Sequence, residues 1–535
     1  MTNEFRAATR LGAADRTGER AWGMGAELPQ EGRVIAWVAH ARKIAAALAV
    51  VLALSTPPAR SQSLIVPLTG HRARSIEPAS LFHTLFSDFF SERDGTTYVQ
   101  TGDIPAMWLR DSSAQTIPYV RFVSGYPILA VRLLGVIERN ARNVAADPHA
   151  NAFTANYRVW ERKWEADSPA WPVLLAWIFR QQTGTRALFT AAFHRELRMS
   201  VEVWRCEQLH ARCSRYHADL PTETSNPDTG MVWSAYRPSD DAVRYHFNIP
   251  QEAIVAIALR AVAVLAVDGY NDRNLANEAN SMASEIEDGI ELYGRAWRPE
   301  LGGWVYAYET DGYGAQLFAD DANIPNLIAM PYIGWCSATD PVYLDTRGLA
   351  LSSANPWYYK GIYASGLGSE HTPPGYVWPL GIVGRALTAT SSQEVAASVT
   401  TLAETDSKDG LIHESFNAGA YWAFTRAEFG WANALYAELL FRTLAGFSAM
   451  PFTTSGTPVL PFEPLSSTPV IVIEPILQLD NTTLIYAALN QLLIEAGGRT
   501  IVPGAPGVVM SRSAGSVRRT PRPRAQNRLR RNPAT

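Results

Sequence analysis

The chain has 535 residues, of which 47% are hydrophobic, and its formal net charge at pH 7 is −4. This length and apolar content are sufficient to bury a large core. A charge so close to zero lacks the basic footprint of nucleic-acid binding, so no nucleic-acid partner is expected.

A short apolar run near the N-terminus is typical of a secretory signal peptide. Residues 44–54 are apolar, follow Arg42 and Lys43, and precede a small-residue cleavage pattern that ends at Ser61. The run is short for a membrane span. We therefore expect an N-terminal extension and signal peptide over residues 1–62, with the signal near residues 34–61, and a secreted or periplasmic protein. An uncleaved signal anchor is the alternative and the only membrane contact expected.

Residues 63–450 are predicted to form a helical domain. Apolar residues recur at helical spacing in long segments that Pro and Gly separate. Polar, aromatic-rich loops join these segments, which favours a helix-on-helix domain with its site built from loops. The predicted helices are Tyr126–Asn143, Pro169–Gln182, Arg186–Gln208, Pro250–Asp268, Asn271–Tyr293, Val377–Thr388, Ser392–Glu404 and Gly430–Leu444.

Three cysteines occur in the chain. Cys206 and Cys213 are close enough in sequence to pair in an oxidising compartment. No CxxC and no Cys/His cluster with zinc spacing is present, so a structural metal site is not expected.

The composition changes after Phe447. Residues 451–505, which begin rich in Pro, Ser, Thr and Val, are predicted to form a wrapping segment with a last helix over Thr483–Glu495. Residues 506–535 contain many Arg and Pro and are predicted to be a disordered basic tail.

The first polar loop, residues 101–115, contains Asp103, Trp108, Arg110 and Asp111. An Arg beside an Asp offers a donor fork next to an acceptor, which suits neighbouring hydroxyls on a sugar. The alternative is a structural ion pair.

The second loop brings two adjacent carboxylates together. Ser239 is predicted to cap a helix that Asp240 and Asp241 open, in which case the acidic residues could simply be partners of the helix dipole. Trp233 and Tyr236 favour a chemical role, because aromatic neighbours can raise the pKa of a carboxyl group. A raised pKa is what a general acid needs.

Two further loops follow. Residues 366–379 contain His371 and Trp378, which are interpreted as substrate contacts, although Trp378 could instead be a core residue. Glu414 is predicted to lie in a short loop after a helix, with Arg426 nearby in sequence. An ionised Glu in such a setting could orient a water molecule as general base. A surface Glu without a catalytic role is the alternative.

Together these stretches resemble glycoside hydrolase family 125, the metal-independent exo-α-1,6-mannosidases. Glu370 stands where a Pro is common in that family, and the chain beyond residue 450 does not match clearly. The matching segments fall in order between residues 75 and 450: TGDIPAMWLRDSSAQ (101–115), WSAYRPSDDA (233–242), DDANIPNL (320–327), NPWYYKG (355–361), GSEHTPPGYVWP (368–379) and HESF (413–416).

The resemblance implies an all-α (α/α)6 toroid, two concentric rings of six helices with a cleft at one end. It also implies exo-acting hydrolysis of α-1,6-linked mannose from oligosaccharides or glycans, with inversion and with no metal or other cofactor. The Asp pair would supply the general acid, with Asp240 favoured over Asp241, and Glu414 the general base. The residues expected to bind the sugar are Asp103, Trp108, Arg110, Asp111, Arg237, Asp320, Asp321, Asn323, His371, Trp378, Arg426 and Trp431.

Three alternatives remain at the level of sequence. Another toroid glycosidase, such as a glucosidase or trehalase, would keep the acid–base chemistry and change the sugar. A glycan-binding protein without catalysis would not need both carboxylate motifs. A metal-dependent helical-barrel cyclase could use an acidic pair to hold Mg²⁺.

Overall fold

Helices are the main regular elements of the chain between residues 83 and 445. The structure, a computed structural model, describes residues 64–67, 83–123, 125–216, 227–406, 410–445 and 471–474. The chain divides into two compact units, Met1–Leu479 and Asp480–Thr535, and every described residue belongs to the first. The predicted signal peptide, the predicted helix Thr483–Glu495 and the predicted tail lie outside the described residues.

Each helix predicted between residues 126 and 444 is present, with ends shifted by a few residues. The 3₁₀ helices are η1 (Ile117–Phe122) and η2 (Leu327–Ala329). The α-helices are α1 (His83–Ser87), α2 (Leu109–Ala114), α3 (Pro127–Ala146), α4 (Ala170–Thr183), α5 (Ala191–Gln208), α6 (His210–Cys213), α7 (Ile249–Tyr270), α8 (Arg273–Tyr293), α9 (Met330–Ile333), α10 (Pro341–Ala350), α11 (Pro379–Leu387), α12 (Ser392–Glu404) and α13 (Gly430–Ala445).

The helices form two concentric rings. In the inner ring α2 packs on α4, α4 on α7, α7 on α9, η2 (continuous with α9) on α11, and α11 on α13, which returns to α2. The outer helices α3, α5, α8, α10, α12 and α1 each pack against one or two inner positions. The architecture is therefore the predicted (α/α)6 toroid, closed where the last helix meets the first.

Helix α7 shows why an inner helix is apolar on all sides. Asn248 caps its N-terminus by accepting a hydrogen bond from the Gln251 amide, and Asn271 ends it in the left-handed conformation. Among the described residues it is the one helix long and apolar enough to cross a membrane. However, 67% of its most apolar window is buried inside the fold. Burial of most of its surface accounts for this composition.

Short strands occupy the loops between helices. Among the described strands, β1 and β17 pair in parallel, and the others form small antiparallel ladders. The strands are β1 (Leu64–Pro67), β2 (Phe89–Ser91), β3 (Thr97–Val99), β4 (Met107–Trp108), β5 (Ala152–Phe153), β6 (Val159–Glu161), β7 (Phe247–Asn248), β8 (Arg295–Arg298), β9 (Gly303–Tyr306), β10 (Glu309–Thr310), β11 (Gln316–Leu317), β12 (Tyr358–Lys360), β13 (Ser365–Leu367), β14 (Tyr376–Val377), β15 (Ser415–Asn417), β16 (Ala420–Thr425) and β17 (Ile471–Glu474).

The predicted disulfide is present. Cys206, near the end of α5, is bonded to Cys213 at the end of α6.

Candidate active site

The polar loops meet at one end of the ring because each directly precedes or opens an inner helical position. Trp108 precedes α2, Asp240 precedes α7, Asn323 precedes η2, and the loops with His371 and Glu414 precede α11 and α13. Together they line a single cavity, whose wall is formed by Thr101, Ile104, Trp108, Arg110, Asp111, Pro238, Ser239, Asp240, Asn323, His371, Trp378, Glu414, Arg426, Phe429 and Trp431.

The two predicted catalytic carboxylates come from opposite sides of the ring. Asp240 lies before α7, the third inner position, and Glu414 lies before α13, the sixth. Both line the cavity, and their side chains are 22% and 10% exposed. Each carboxylate is thus partly sheltered and still reaches the same enclosed space.

The prediction that a helix begins at Ser239 is wrong, because the chain forms a turn there. Asp240 has a φ of 67°, and the Asp240 amide donates to the Arg237 carbonyl in a tight turn. Pro238 and the short polar residues after it favour such a turn, and Asp tolerates the left-handed conformation better than most residues. The next helix, α7, begins nine residues later, so no helix dipole acts directly on Asp240.

Arg110 holds a group of carboxylates behind Asp240. Its Nη1 donates to Glu165 Oε2 at 2.9 Å and to Asp167 Oδ2 at 3.2 Å, and its Nη2 lies 3.7 Å from Asp240 Oδ1. Asn151 Nδ2 lies 3.3 Å from Asp240 Oδ1 and 3.5 Å from Glu165 Oε1. Asp240 is therefore fixed by donors shared with a second, fully buried carboxyl group.

The pKa of Asp240 moves in the direction opposite to the one predicted from its aromatic neighbours. Burial raises the pKa, but a hydrogen bond from Glu165 and the charges of Lys163, Arg110 and His371 lower it below the usual value. Trp233 does not account for a raised pKa, since its ring stacks on the imidazoles of His210 and His246.

His371 supplies a positive charge beside the predicted acid. Its Nδ1 lies 3.5 Å from Asp241 Oδ1, while Asp241 Oδ2 accepts from Ser239 Oγ at 3.0 Å and from Ser369 Oγ at 3.3 Å. The hydrogen bond to Asp241 raises the pKa of His371 to about 9, so the imidazole is cationic at neutral pH. Asp241 thus orients His371 from behind the cavity wall.

Glu414 is oriented by a different cation. Arg426 Nη1 lies 3.6 Å from Glu414 Oε1. Arg426 is itself held, because its Nε donates to Asp103 Oδ1 at 2.8 Å and its Nη2 donates to the Thr101 carbonyl at 2.5 Å. The guanidinium also lies 4.8 Å from the centroid of the Phe429 ring. The candidate base therefore depends on a fixed Arg side chain.

Aromatic rings form much of the cavity wall. Trp378 and Trp431 are each 2% exposed, and Phe429 packs edge-on against both of them at 6.3 Å between ring centroids. Trp108 adds a further ring. Flat apolar surfaces of this kind complement the apolar face of a sugar ring.

Several predicted sugar ligands lie behind the wall. Asp320 accepts hydrogen bonds from the amides of Leu327 and Ile328 and so caps η2. Asp321 accepts from the Asn323 amide at 2.9 Å and from Ser369 Oγ at 2.7 Å. These carboxylates are fully buried, where they shape the loop that presents Asn323.

Arg237 and Asp103 also bind protein groups. Arg237 Nε donates to Glu309 Oε1 and its Nη1 to Glu370 Oε2, each at 2.5 Å. Asp103 holds Arg426, as described above. Neither residue lines the cavity.

Glu165, Asp167 and Phe429 were not among the predicted site residues. The segment with Glu165 and Asp167 lies just before α4, the same position that the other polar loops occupy before their inner helices. That shared position was the available signal. No catalytic spacing marks it, because Glu165 and Asp240 meet only when α4 packs against α7.

Comparison with known proteins gives the same family that the motifs suggest. The family model described as metal-independent alpha-mannosidase (GH125) matches residues 78–441. A Schizosaccharomyces pombe relative, the meiotically up-regulated gene 157 protein, is 34% identical over 391 residues, which cover 64% of this chain and 76% of that protein.

Solved structures extend this likeness to the fold. A Streptococcus pneumoniae metal-independent α-mannosidase, in a non-productive complex with α-1,6-mannobiose, is 34% identical with a TM-score of 0.66. The match covers 68% of this chain and 92% of that one. A bacterial glucoamylase complexed with acarbose is more distant, at 13% identity and a TM-score of 0.45, over 63% of this chain and 48% of that one. Because the family model spans most of the helical toroid and its cavity, this chain belongs to the GH125 family of metal-independent α-mannosidases and is a glycoside hydrolase.

Proposed function

We propose that the protein is an inverting, exo-acting α-mannosidase that removes terminal α-1,6-linked mannose from oligosaccharides or glycans. The observation that carries this proposal is the position of Asp240 and Glu414 on opposite sides of one cavity. Inverting glycosidases keep their carboxyl groups roughly 6.5–9.5 Å apart to admit a water molecule. Carboxylates that project from opposite sides of a ring suit this wider spacing.

In the proposed reaction Asp240 donates a proton to the glycosidic oxygen, and the bond to the anomeric carbon breaks. Glu414, held by Arg426, takes a proton from a water molecule that attacks the opposite face of the sugar. Trp378 and Trp431 are buried and form part of the cavity wall, where they would pack against the terminal sugar. The α-1,6 linkage is proposed from the ligand of the pneumococcal relative.

Proton NMR of the purified protein acting on α-1,6-mannobiose tests the proposal. We expect β-mannose to appear first and to convert slowly to the α-anomer in solution. Parallel reactions on α-1,2- and α-1,3-mannobiose should be slower. Initial release of α-mannose would contradict inversion, and faster cleavage of another linkage would contradict the proposed specificity.

We also propose that the protein is exported through the apolar run at residues 44–54. N-terminal sequencing of protein recovered outside the cytoplasm should then find a mature chain that begins near residue 62. Recovery of residues 1–33 in that mature protein would contradict cleavage at this site.

A further inference from the structure

Glu165 lies directly behind Asp240 and has no role in the reaction as described so far. It is fully buried, on the segment that leads into α4. The Asn151 amide nitrogen is within hydrogen-bonding distance of both Glu165 Oε1 and Asp240 Oδ1, and Arg110 contacts both carboxyl groups, which brings them close enough to share a hydrogen bond. Two carboxyl groups can share a hydrogen bond only when one of them carries a proton.

The donors around Glu165 indicate where that proton lies. Both strong donors meet the same oxygen, since Arg110 Nη1 and Ser168 Oγ lie 2.9 Å and 2.7 Å from Oε2. Oε1 receives only the longer contact from Asn151 at 3.5 Å. Oε1 is therefore the oxygen of Glu165 that can carry a proton and share it with Asp240.

The balance of charge also favours one shared proton. The Arg110 guanidinium contacts all three carboxyl groups, those of Glu165, Asp167 and Asp240. Asp167 also accepts hydrogen bonds from Trp171 Nε1 and Gln251 Nε2. Two ionised carboxylates in contact, one of them fully buried, would repel strongly. The charged and titratable groups that face the pair are Arg110, Asp111, Glu161, Lys163, Asp167, Tyr216 and His371.

We propose that Glu165 is a positioning residue that holds, together with Asp240, the single proton that the general acid delivers. This inference rests on the proposed function, in which Asp240 is the acid. It deepens that function by making the proton donor a pair of carboxyl groups.

The proton balance is as follows for one turnover. The shared proton passes from Asp240 to the glycosidic oxygen as the bond from that oxygen to the anomeric carbon breaks. The water that bonds to the anomeric carbon gives one proton to Glu414. The pair, left as two carboxylates against Arg110, regains a proton from solvent through Asp240, its partly exposed member, and Glu414 releases its proton to solvent.

The pKa directions agree with this division. Burial raises the pKa of Glu165 well above its usual value, and the charge of Asp240 raises it further against the opposing effect of Arg110. The pKa of Asp240 is lowered against the effect of burial by the hydrogen bond from Glu165 and by the charges of Lys163, Arg110 and His371, so the shared proton rests on Glu165. Glu165 therefore keeps the proton available at a pH where Asp240 alone would have lost it.

Glu165→Gln in the full chain tests the inference, with Glu161→Gln as the matched control. Glu161 Oε2 also binds Asn151 Nδ2, at 3.0 Å, but its other partner is Lys163. The rate constant kcat/KM is measured against pH on α-1,6-mannobiose and on 2,4-dinitrophenyl α-mannoside. The dinitrophenolate leaves without protonation, so its release does not need the acid.

We expect Glu165→Gln to reduce kcat/KM on mannobiose by about 10²–10³-fold and to move the alkaline limb of the pH profile to lower pH. The loss on the dinitrophenyl substrate should be about tenfold or less. Glu161→Gln should stay within about threefold of wild type on both substrates, since it leaves the acid unchanged. Glu165→Asp, which keeps a titrating carboxyl group, should lie closer to wild type than Gln does.

Equal losses on both substrates, or an unchanged alkaline limb, would overturn the role of Glu165. Thermal melting shows whether Glu165→Gln is folded, because a misfolded variant would lose activity on both substrates. If Glu165→Gln does not fold, the pH profile of Glu165→Asp provides the test instead. If wild type cleaves the dinitrophenyl mannoside but not α-1,6-mannobiose, the proposed linkage is wrong. The comparison is then read on the mannobiose that wild type does cleave.

Discussion

Asp240 and Glu414 differ in their immediate surroundings, and the difference matches their proposed roles. Asp240 touches another carboxyl group, so the two together can retain a proton that a lone, cation-paired carboxylate would release. Glu414 instead has a guanidinium at 3.6 Å, which holds its carboxyl group at the cavity wall. An inverting glycosidase uses one carboxyl group as general acid and one as general base.

Substitution of either residue should separate chemistry from folding. Asp240→Asn and Glu414→Gln are each expected to lower kcat on α-1,6-mannobiose by about 10²–10⁴-fold, because each removes one proton-transfer group. Asp240→Asn should recover much of its rate on 2,4-dinitrophenyl α-mannoside, and Glu414→Gln should not. Glu394→Gln, in an ion-pair cluster with Arg347 and Arg385 outside the cavity wall, is the control. Near-normal turnover by either catalytic variant would remove that residue from its role.

His371 gives a pH prediction. Its pKa in the folded protein, about 9, lies above the ordinary value of about 6.5. The stabilisation from its pairing with Asp241 is therefore fully present below about pH 6.5 and is lost as the pH rises through 9. Asp241→Asn should lower the NMR titration midpoint of His371 towards the ordinary value. It should also reduce the melting temperature more at pH 6 than at pH 10; an equal reduction at both would show that the imidazolium is not the partner that matters.

At the scale of elements, periodicity predicted the long helices well. α12 has the predicted bounds, and α7 and α8 differ from theirs by a residue or two at their ends, because their apolar spacing is set by packing between the two rings. The short inner elements α2, η2 and α9 were not predicted. They contain three to six residues each, too few for a helical period to appear.

The N-termini of two outer helices offer a matched comparison of capping. Asp340 Oδ1 accepts a hydrogen bond from the Tyr343 amide at 3.0 Å at the start of α10, whereas the Ser391 side chain makes no capping bond at α12. Asp340→Ala should lower the free energy of unfolding by about 1 kcal/mol, and Ser391→Ala should have much less effect. Urea denaturation of both variants checks this. Equal losses would mean that the Asp340 bond contributes no specific stability.

At the scale of the whole molecule, the ring closes at a polar seam between residues 83–103 and 426–430. Thr84 Oγ1 donates to the Gly430 carbonyl at 3.1 Å, and the Asp103 amide donates to the Glu428 carbonyl at 3.2 Å. The bonds from Arg426 to Asp103 and to the Thr101 carbonyl belong to the same seam. The support of the candidate base and the closure of the fold therefore share the same contacts.

Glycine substitutions can test that link. A Cβ at Gly102, where φ is 65°, would lie 2.3 Å from the Glu428 carbonyl oxygen, while a Cβ at Gly95, where φ is 80°, would meet nothing within 4 Å. Both Ala variants should lose about 1–2 kcal/mol of stability from the left-handed backbone. Gly102→Ala should lose more, and its kcat should fall because Arg426 shifts from Glu414. Equal kcat values for the two folded variants would contradict the coupling.

The candidate site was predicted in part, and the limit is physical. Cavity residues such as Trp108, Asp240 and Glu414 lie in unusual motifs that can be recognised along the chain. Glu165 lies 75 positions before Asp240 in an ordinary approach to a helix, and the two residues meet only when α4 packs against α7. Asp103 is a similar case. It was predicted to contact the sugar, but in the structure it accepts a hydrogen bond from Arg426, which is distant in sequence.

The seam also has a consequence for how a newly made chain acquires activity. Arg426 reaches Glu414 from a position that Thr101 and Asp103 define, although these two residues lie more than 300 positions earlier in the chain. A nascent polypeptide that still lacks its last inner helix would already have Glu165, the proposed acid Asp240 and Trp108 in place. Glu414, the proposed base, would not yet be held by Arg426. We therefore expect catalytic competence only once the last inner helix has docked against the first.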